Sequence, residues 1–194
     1  DYIEAGTYML MAAGTGGNVL VKDVIPKHLE SITAKLKEIG ATVNEFDDSV
    51  QVISTGRLSN ARVKTLPYPG FPTDLQPLIT TLLSVSEGTS IVTEAVWESR
   101  FKYVDELRRM GANITVEKSV AVIEGIEALS GCPVQSHDLR AGAAMVMAGL
   151  MANGTTEVTE LKYIDRGYED LEAKLTALGA DIVRIEDKNP TTIQ

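Results

Sequence analysis

The sequence predicts a mixed α/β (α+β) domain of three internal repeats, with helices packed inside and sheets outside. Three segments of one pattern carry this reading: LESITAKLKEIGATV (29–43), RFKYVDELRRMGANI (100–114) and YEDLEAKLTALGADI (168–182). Each reads as an amphipathic helix that stops at a glycine followed by alanine, at Gly40, Gly111 and Gly179. Upstream of each lies a second matched run, apolar and then strand-like: YMLMAAGTGGNVLVKD, LQPLITTLLSVSEGTSIVTE and RAGAAMVMAGLMANGTTEVTE.

The first copy opens with an apolar helix that ends near Gly17 and feeds a short strand. Leu29, Ile32, Leu36 and Ile39 then fall on one helical face, the spacing of a helix laid against a core. Gly40 tolerates the left-handed conformation of a helix C-terminus, and ATVNEFDD alternates as a strand does. The second copy repeats the scheme with Gly88, then Val104, Leu107 and Met110, then ANITVEKSVAVIEG; the third uses Gly154, then Leu171, Leu175 and Leu178, then ADIVRIED. The unit reads strand, helix, strand, helix, strand, strand, about two linked βαβ-type units. On this division residues 1–187 form one domain of repeats 1–72, 73–137 and 138–187, followed by a polar tail over 188–194. The small residues of AGAAMVMAGLMA suit close contact among buried helices.

The 194 residues are 44% hydrophobic, enough for a sizeable core, and carry a formal net charge of −9 without any basic block. Nucleic acid needs a phosphate-neutralising stripe of lysine and arginine and is not an expected partner. An anionic ligand would have to meet a few focused arginines. No apolar run approaches a membrane span, and the first residues lack the basic region of a signal peptide. No membrane partner is expected, and a cytoplasmic location is. A single cysteine, Cys132, agrees with a reducing compartment. The first residue is Asp rather than Met, which points to a processed product or a piece of a longer chain.

Charged residues recur at equivalent element ends. The first helix of each copy starts with Glu4, Asp74 or Asp138, and before the second helix come Lys27 and His28, then Arg100, then Arg166. Groups so placed gather at one end of a domain, where they would line a cleft. Asp74 sits in the stiff stretch YPGFPTDLQPLI (68–79). Aspartate at a helix start accepts hydrogen bonds from free amides, and the same loop would also hold a carboxylate rigidly for proton transfer. Each arginine taken alone reads as a surface ion pair with a neighbour such as Glu98, Asp138 or Asp165.

PGFPTDLQ (69–76), VWESRF (96–101) with the ELRRMGA that follows, HDLRAGAAMV (137–146) and YIDRGYEDLEAKLTALGA (163–180), together with IEAGT (3–7), carry a resemblance. They resemble the C-terminal domain of the UDP-N-acetylglucosamine enolpyruvyl transferases, also called UDP-N-acetylglucosamine 1-carboxyvinyltransferases. The match runs in order over nearly the whole chain. It implies the inside-out α/β barrel shared with 5-enolpyruvylshikimate-3-phosphate synthase, built from six repeats in two domains. The implied reaction moves the enolpyruvyl group of phosphoenolpyruvate to the 3-hydroxyl of UDP-N-acetylglucosamine and releases phosphate, the first committed step of peptidoglycan synthesis. No cofactor is implied. Three repeats correspond to one domain, so the N-terminal half would precede this chain, and this chain alone is expected to be inert. An exposed interdomain face would allow the isolated domain to dimerise. Two alternatives stay open: a non-catalytic module that binds an anion or nucleotide sugar, and an enzyme like the shikimate-pathway sibling.

By resemblance Asp74 faces the sugar 3-hydroxyl, either taking its proton or orienting it. Arg100 and Arg140 match arginines around the carboxylate of phosphoenolpyruvate, and Arg166 matches one that meets the transferred phosphate. A guanidinium suits such work because it offers paired donors and keeps its charge. Val96 matches a backbone contact to the nucleotide sugar, beside Trp97, where the family commonly has a smaller aromatic. Glu98 and Asp138 are expected to hold Arg100 and Arg140 in place. The family's reactive cysteine belongs to the N-terminal domain, so Cys132 is expected to be a small packed residue. His28 and His137 have no second ligand at metal spacing, and no metal is expected. GTGG (14–17) lacks the rest of a P-loop and reads as a helix stop, while Met9, Met11, Met145, Met147 and Met151 read as core filling.

Overall fold

A computed structural model describes residues 1–186; the tail expected over 188–194 lies outside the described residues. Three helices form the centre: α1 (Tyr2–Gly14), α3 (Gln76–Leu83) and α5 (Leu139–Met151). Their sequences are apolar on nearly every face, which only a buried helix tolerates, and every residue of α3 is buried. Small residues let the backbones approach. A Cβ on Gly6 would fall 2.8 Å from Ile32 Cδ1, and one on Gly14 would fall 2.7 Å from Met147 Cε. The three helices run the same way, since Gly6 of α1 faces Leu75 just ahead of α3, and Gly14 faces Leu82, Met147 and Met151 near the helix ends.

Sheets cover this centre. The first, β1 (Asn18–Lys22), β2 (Thr42–Glu45) and β3 (Ser49–Ile53), is antiparallel in the order β1-β3-β2. The second takes the order β4-β5-β7-β6 from β4 (Arg62–Lys64), β5 (Thr89–Thr93), β6 (Asn113–Glu117) and β7 (Val120–Glu124). There β4 and β5 pair in parallel, with Arg62 opposite Ile91. The third is a parallel pair, β8 (Pro133–Gln135) with β9 (Glu157–Thr159). The amphipathic helices α2 (Glu30–Glu38), α4 (Val104–Arg109) and α6 (Leu171–Ala177) each end before a glycine with positive φ, +106° at Gly40, +100° at Gly111 and +98° at Gly179. Leu29, Ile32, Leu36 and Ile39 are fully buried, as are Leu107 and Met110.

The structure departs from the sequence reading in three places. Residues 180–186, read as the strand ADIVRIED, form no strand, because a strand needs a neighbour and none of the described residues pairs with them. For the same reason Leu178 is 54% exposed, whereas its counterparts Ile39 and Met110 lie under hairpins β2–β3 and β6–β7. Third, only β4 and β8 realise the expected leading strand; in the first copy α1 begins at Tyr2.

Candidate active site

Asp74 lies in a 3-10 turn, Thr73–Leu75, that leads directly into α3. The loop before it is tied to itself. Leu66 N–H donates to the Phe71 carbonyl at 3.0 Å, Gly70 N–H donates to the Pro67 carbonyl at 2.9 Å, and buried Phe71 anchors the tip. Pro72 holds extended backbone (φ −71°, ψ 135°) into the turn, the conformation its ring favours. The Asp74 carboxylate is thus presented at the start of α3 and keeps 38% side-chain exposure.

Two arginines flank that carboxylate. Arg100 Nη2 donates to Asp74 Oδ1 at 3.0 Å, and Arg140 Nη2 lies 3.6 Å from Oδ2, an ion-pair distance too long for a hydrogen bond. Both cations are largely withdrawn from solvent, at 20% and 16% side-chain exposure. Each has a second anchor: Arg100 Nη1 donates to Thr73 Oγ1 at 2.8 Å, and Arg140 Nη1 donates to the Tyr168 hydroxyl at 3.1 Å with its guanidinium 5.6 Å from the ring centroid. Cations over aromatic faces are attracted by the ring quadrupole.

Arg166 is exposed, and among the described residues it makes no ion pair or side-chain hydrogen bond. Its loop belongs to the same end of the domain, since Gly167 abuts Leu139 at the start of α5 and Tyr168 reaches Arg140. Asp138 does not hold Arg140. Its side chain accepts from the Ala141 amide at 2.8 Å as the N-cap of α5, and among the described residues it makes no ion pair with Arg140. Nor does Glu98 hold Arg100: Ser99 takes φ +55° and turns the chain, leaving Glu98 exposed while Arg100 points inward to Thr73 and Asp74.

Val96 and Trp97 are exposed at 39% and 62%. Their amides donate to Glu94 Oε1 at 3.1 and 3.0 Å, so the backbone groups they leave for a ligand are carbonyl acceptors. His137 Nε2 lies 3.3 Å from Glu106 Oε1, a buried carboxylate that also accepts from Arg109 and from the Gln135 amide. This cluster braces the approach to α5. No group of metal-ligating side chains occurs among the described residues, and Cys132 is a half-buried residue packed on the core. Glu94, Thr73 and Tyr168 escaped the sequence reading. A signal for Glu94 exists: Ser90, Val92 and Glu94 alternate along and just beyond β5, and all three are buried, so period two aims Glu94 inward.

Three buried helices under outer sheets form the fold that solved enolpyruvyl transferases share. The enolpyruvyl transferase NikO from Streptomyces tendae superposes with a TM-score of 0.84 at 27% identity, covering 93% of this chain and 43% of that one. EPSP synthase from Acinetobacter baumannii shares the fold with a TM-score of 0.70 at 20% identity. The profile of the EPSP synthase (3-phosphoshikimate 1-carboxyvinyltransferase) family matches residues 1–175. Proteins named UDP-N-acetylglucosamine 1-carboxyvinyltransferase are 58% identical over 185 residues in Clostridium botulinum and 54% identical over 192 residues in Desulfofundulus thermocisternus. The chain belongs to the EPSP synthase family, with the UDP-N-acetylglucosamine 1-carboxyvinyltransferases among its relatives. It spans 44% of the Clostridium botulinum protein and 79% of the Desulfofundulus thermocisternus one.

Proposed function

We propose that this chain supplies the aspartate-and-arginine wall of a UDP-N-acetylglucosamine 1-carboxyvinyltransferase site that a second domain completes. The observation that carries the reading is Asp74 held between Arg100 and Arg140 at the exposed end of the central helices. In the reaction the sugar 3-oxygen bonds to C2 of phosphoenolpyruvate while C3 gains a proton. The tetrahedral adduct then loses that C3 proton and phosphate to restore the double bond. Asp74 receives or orients the 3-hydroxyl proton, and the arginines stabilise the carboxylate and the anionic adduct, an electrostatic contribution that grows as two domains close and exclude water. Arg166, exposed on the same side, meets the departing phosphate. The enzyme works in the cytoplasm, in peptidoglycan synthesis.

The test joins this chain to the amino-terminal part of the Clostridium botulinum relative and follows phosphate release from phosphoenolpyruvate and UDP-N-acetylglucosamine. The joined protein is expected to turn over and the chain alone to be inert. Asp74→Asn is expected to cost on the order of 100-fold or more in kcat, the scale of a lost general base. A joined protein that binds the nucleotide sugar without turnover refutes the reading in favour of a binding module, and turnover only with shikimate 3-phosphate assigns the sibling activity.

A further inference from the structure

Glu94, just past the end of β5, is 3% exposed, and its carboxylate accepts hydrogen bonds from four groups. Thr65 Oγ1 donates to Oε1 at 2.8 Å, and the amides of Val96 and Trp97 donate to the same oxygen at 3.1 and 3.0 Å. Thr73 Oγ1 donates across both oxygens, 2.9 Å from Oε1 and 3.0 Å from Oε2. A carboxylate only accepts and a guanidinium only donates. The single Thr73 proton is therefore directed to Glu94, and its lone pair receives Arg100 Nη1 at 2.8 Å. The chain Arg100, Thr73, Glu94 runs one way.

We propose that Glu94 is a positioning residue with two outputs. Through Thr73 it fixes Arg100 against Asp74, and through the Val96 and Trp97 amides it fixes the loop beside the nucleotide-sugar side of the site. The inference rests on the function proposed above for what each output serves, while the one-way chain is a property of this domain alone. Thr73→Val removes the relay and leaves the other partners of Glu94 in place. Thr73→Ser restores the hydroxyl. Glu94→Ala removes both oxygens, so Thr73 and the two amides lose their shared acceptor and both outputs loosen.

In the joined enzyme, Thr73→Val is expected to lower kcat/KM for phosphoenolpyruvate on the order of 10- to 100-fold, as misplacement of a binding group does, with KM for UDP-N-acetylglucosamine unchanged. Thr73→Ser is expected to stay within about threefold of the parent, since the hydroxyl relay survives. Glu94→Ala is expected to impair the terms for both substrates. Wild-type kinetics in Thr73→Val, or equal losses in Thr73→Ser and Thr73→Val, would overturn the proposal. If the parent joined enzyme shows no turnover, the functional reading fails and the relay is judged on the chain itself by NMR of the Arg100 Nη protons. Hindered rotation in the parent and Thr73→Ser but free rotation in Thr73→Val supports it; identical spectra in all three sink it.

Discussion

The Tyr168 hydroxyl lies 2.8 Å from Thr7 Oγ1 and 3.1 Å from Nη1 of Arg140. Thr7 itself donates to the Ile3 carbonyl at 2.8 Å, so Tyr168 donates to Thr7 and accepts from Arg140. The first turns of α1 thus brace a cation at the start of α5.

Tyr168→Phe keeps the ring under the guanidinium and removes this chain. Loss of about one hydrogen bond to a charged group, roughly 1.5 kcal/mol, should lower kcat/KM for phosphoenolpyruvate about tenfold in the joined enzyme. Urea unfolding should register about 1 kcal/mol for the deprived Thr7. Unchanged kinetics would mean that the ring alone seats Arg140.

Gly142 lies one turn into α5, where a Cβ would press on Ser136 Oγ and fall 2.5 Å from Ile164 Cγ1. Gly142→Ala should destabilise the domain by roughly 1–3 kcal/mol, the range for overpacking, and move Arg140 with its helix. Thermal unfolding checks the first effect. A melting temperature equal to the parent's would show that the Ile164 loop yields without strain.

Burial, then Glu4 and Tyr168, pushes the Tyr8 phenol up to about 12, while in the unfolded chain it titrates near 10. The folded state therefore holds its proton longer. The associated stability is complete below pH 10 and is lost as pH rises from 10 to 12. Chemical unfolding repeated across that window should show a falling free energy that Tyr8→Phe makes shallower, while Tyr103, also raised by burial, keeps part of the slope. An equal slope in parent and variant would assign the alkaline loss elsewhere.

Arg184 donates to Asp165 at 2.7 Å and to Glu172 at 2.7 Å, and its hydrogen bonds hold both carboxyls below their ordinary values of 3.8 and 4.5. With folded values depressed, the contribution is present above pH 4.5 and is lost as pH falls through the folded values. All three groups are solvent-facing, so the effect is local and about 0–1 kcal/mol. Methyl NMR of Val183 and Ile185 should show this segment loosening in acid, and Arg184→Met should reproduce that spectrum at neutral pH. Shifts that ignore both treatments would leave the segment held by something other than these charges.

The helical half of the fold was legible because it is written locally. Leu29, Ile32, Leu36 and Ile39 share a face, and Gly40 ends the helix whatever surrounds it. The strand read over 180–186 failed because alternation states a preference and pairing needs a partner, which is information outside the segment. Asp74, Arg100 and Arg140 were found through short motifs and do meet in space. Their supports were not legible in the same way: Thr73, Glu94 and Tyr168 are ordinary polar residues until β5, the Asp74 turn and the loop before α6 are folded together. Asp138 and Glu98 show the converse, since adjacency in sequence to an arginine said nothing about which way each carboxylate would turn.

Because α1, α3 and α5 run the same way, their amide ends open onto a single mouth, each with the fractional positive charge of a helix N-terminus. The molecule around that mouth is a polyanion with a net charge of −9. A phosphorylated acid drifting in from bulk solution is thus repelled at long range and welcomed only within about 8 Å, the screening distance of physiological salt. Moderate salt weakens the outer barrier before it touches the inner attraction, so capture here should quicken slightly with ionic strength where most anion binders slow.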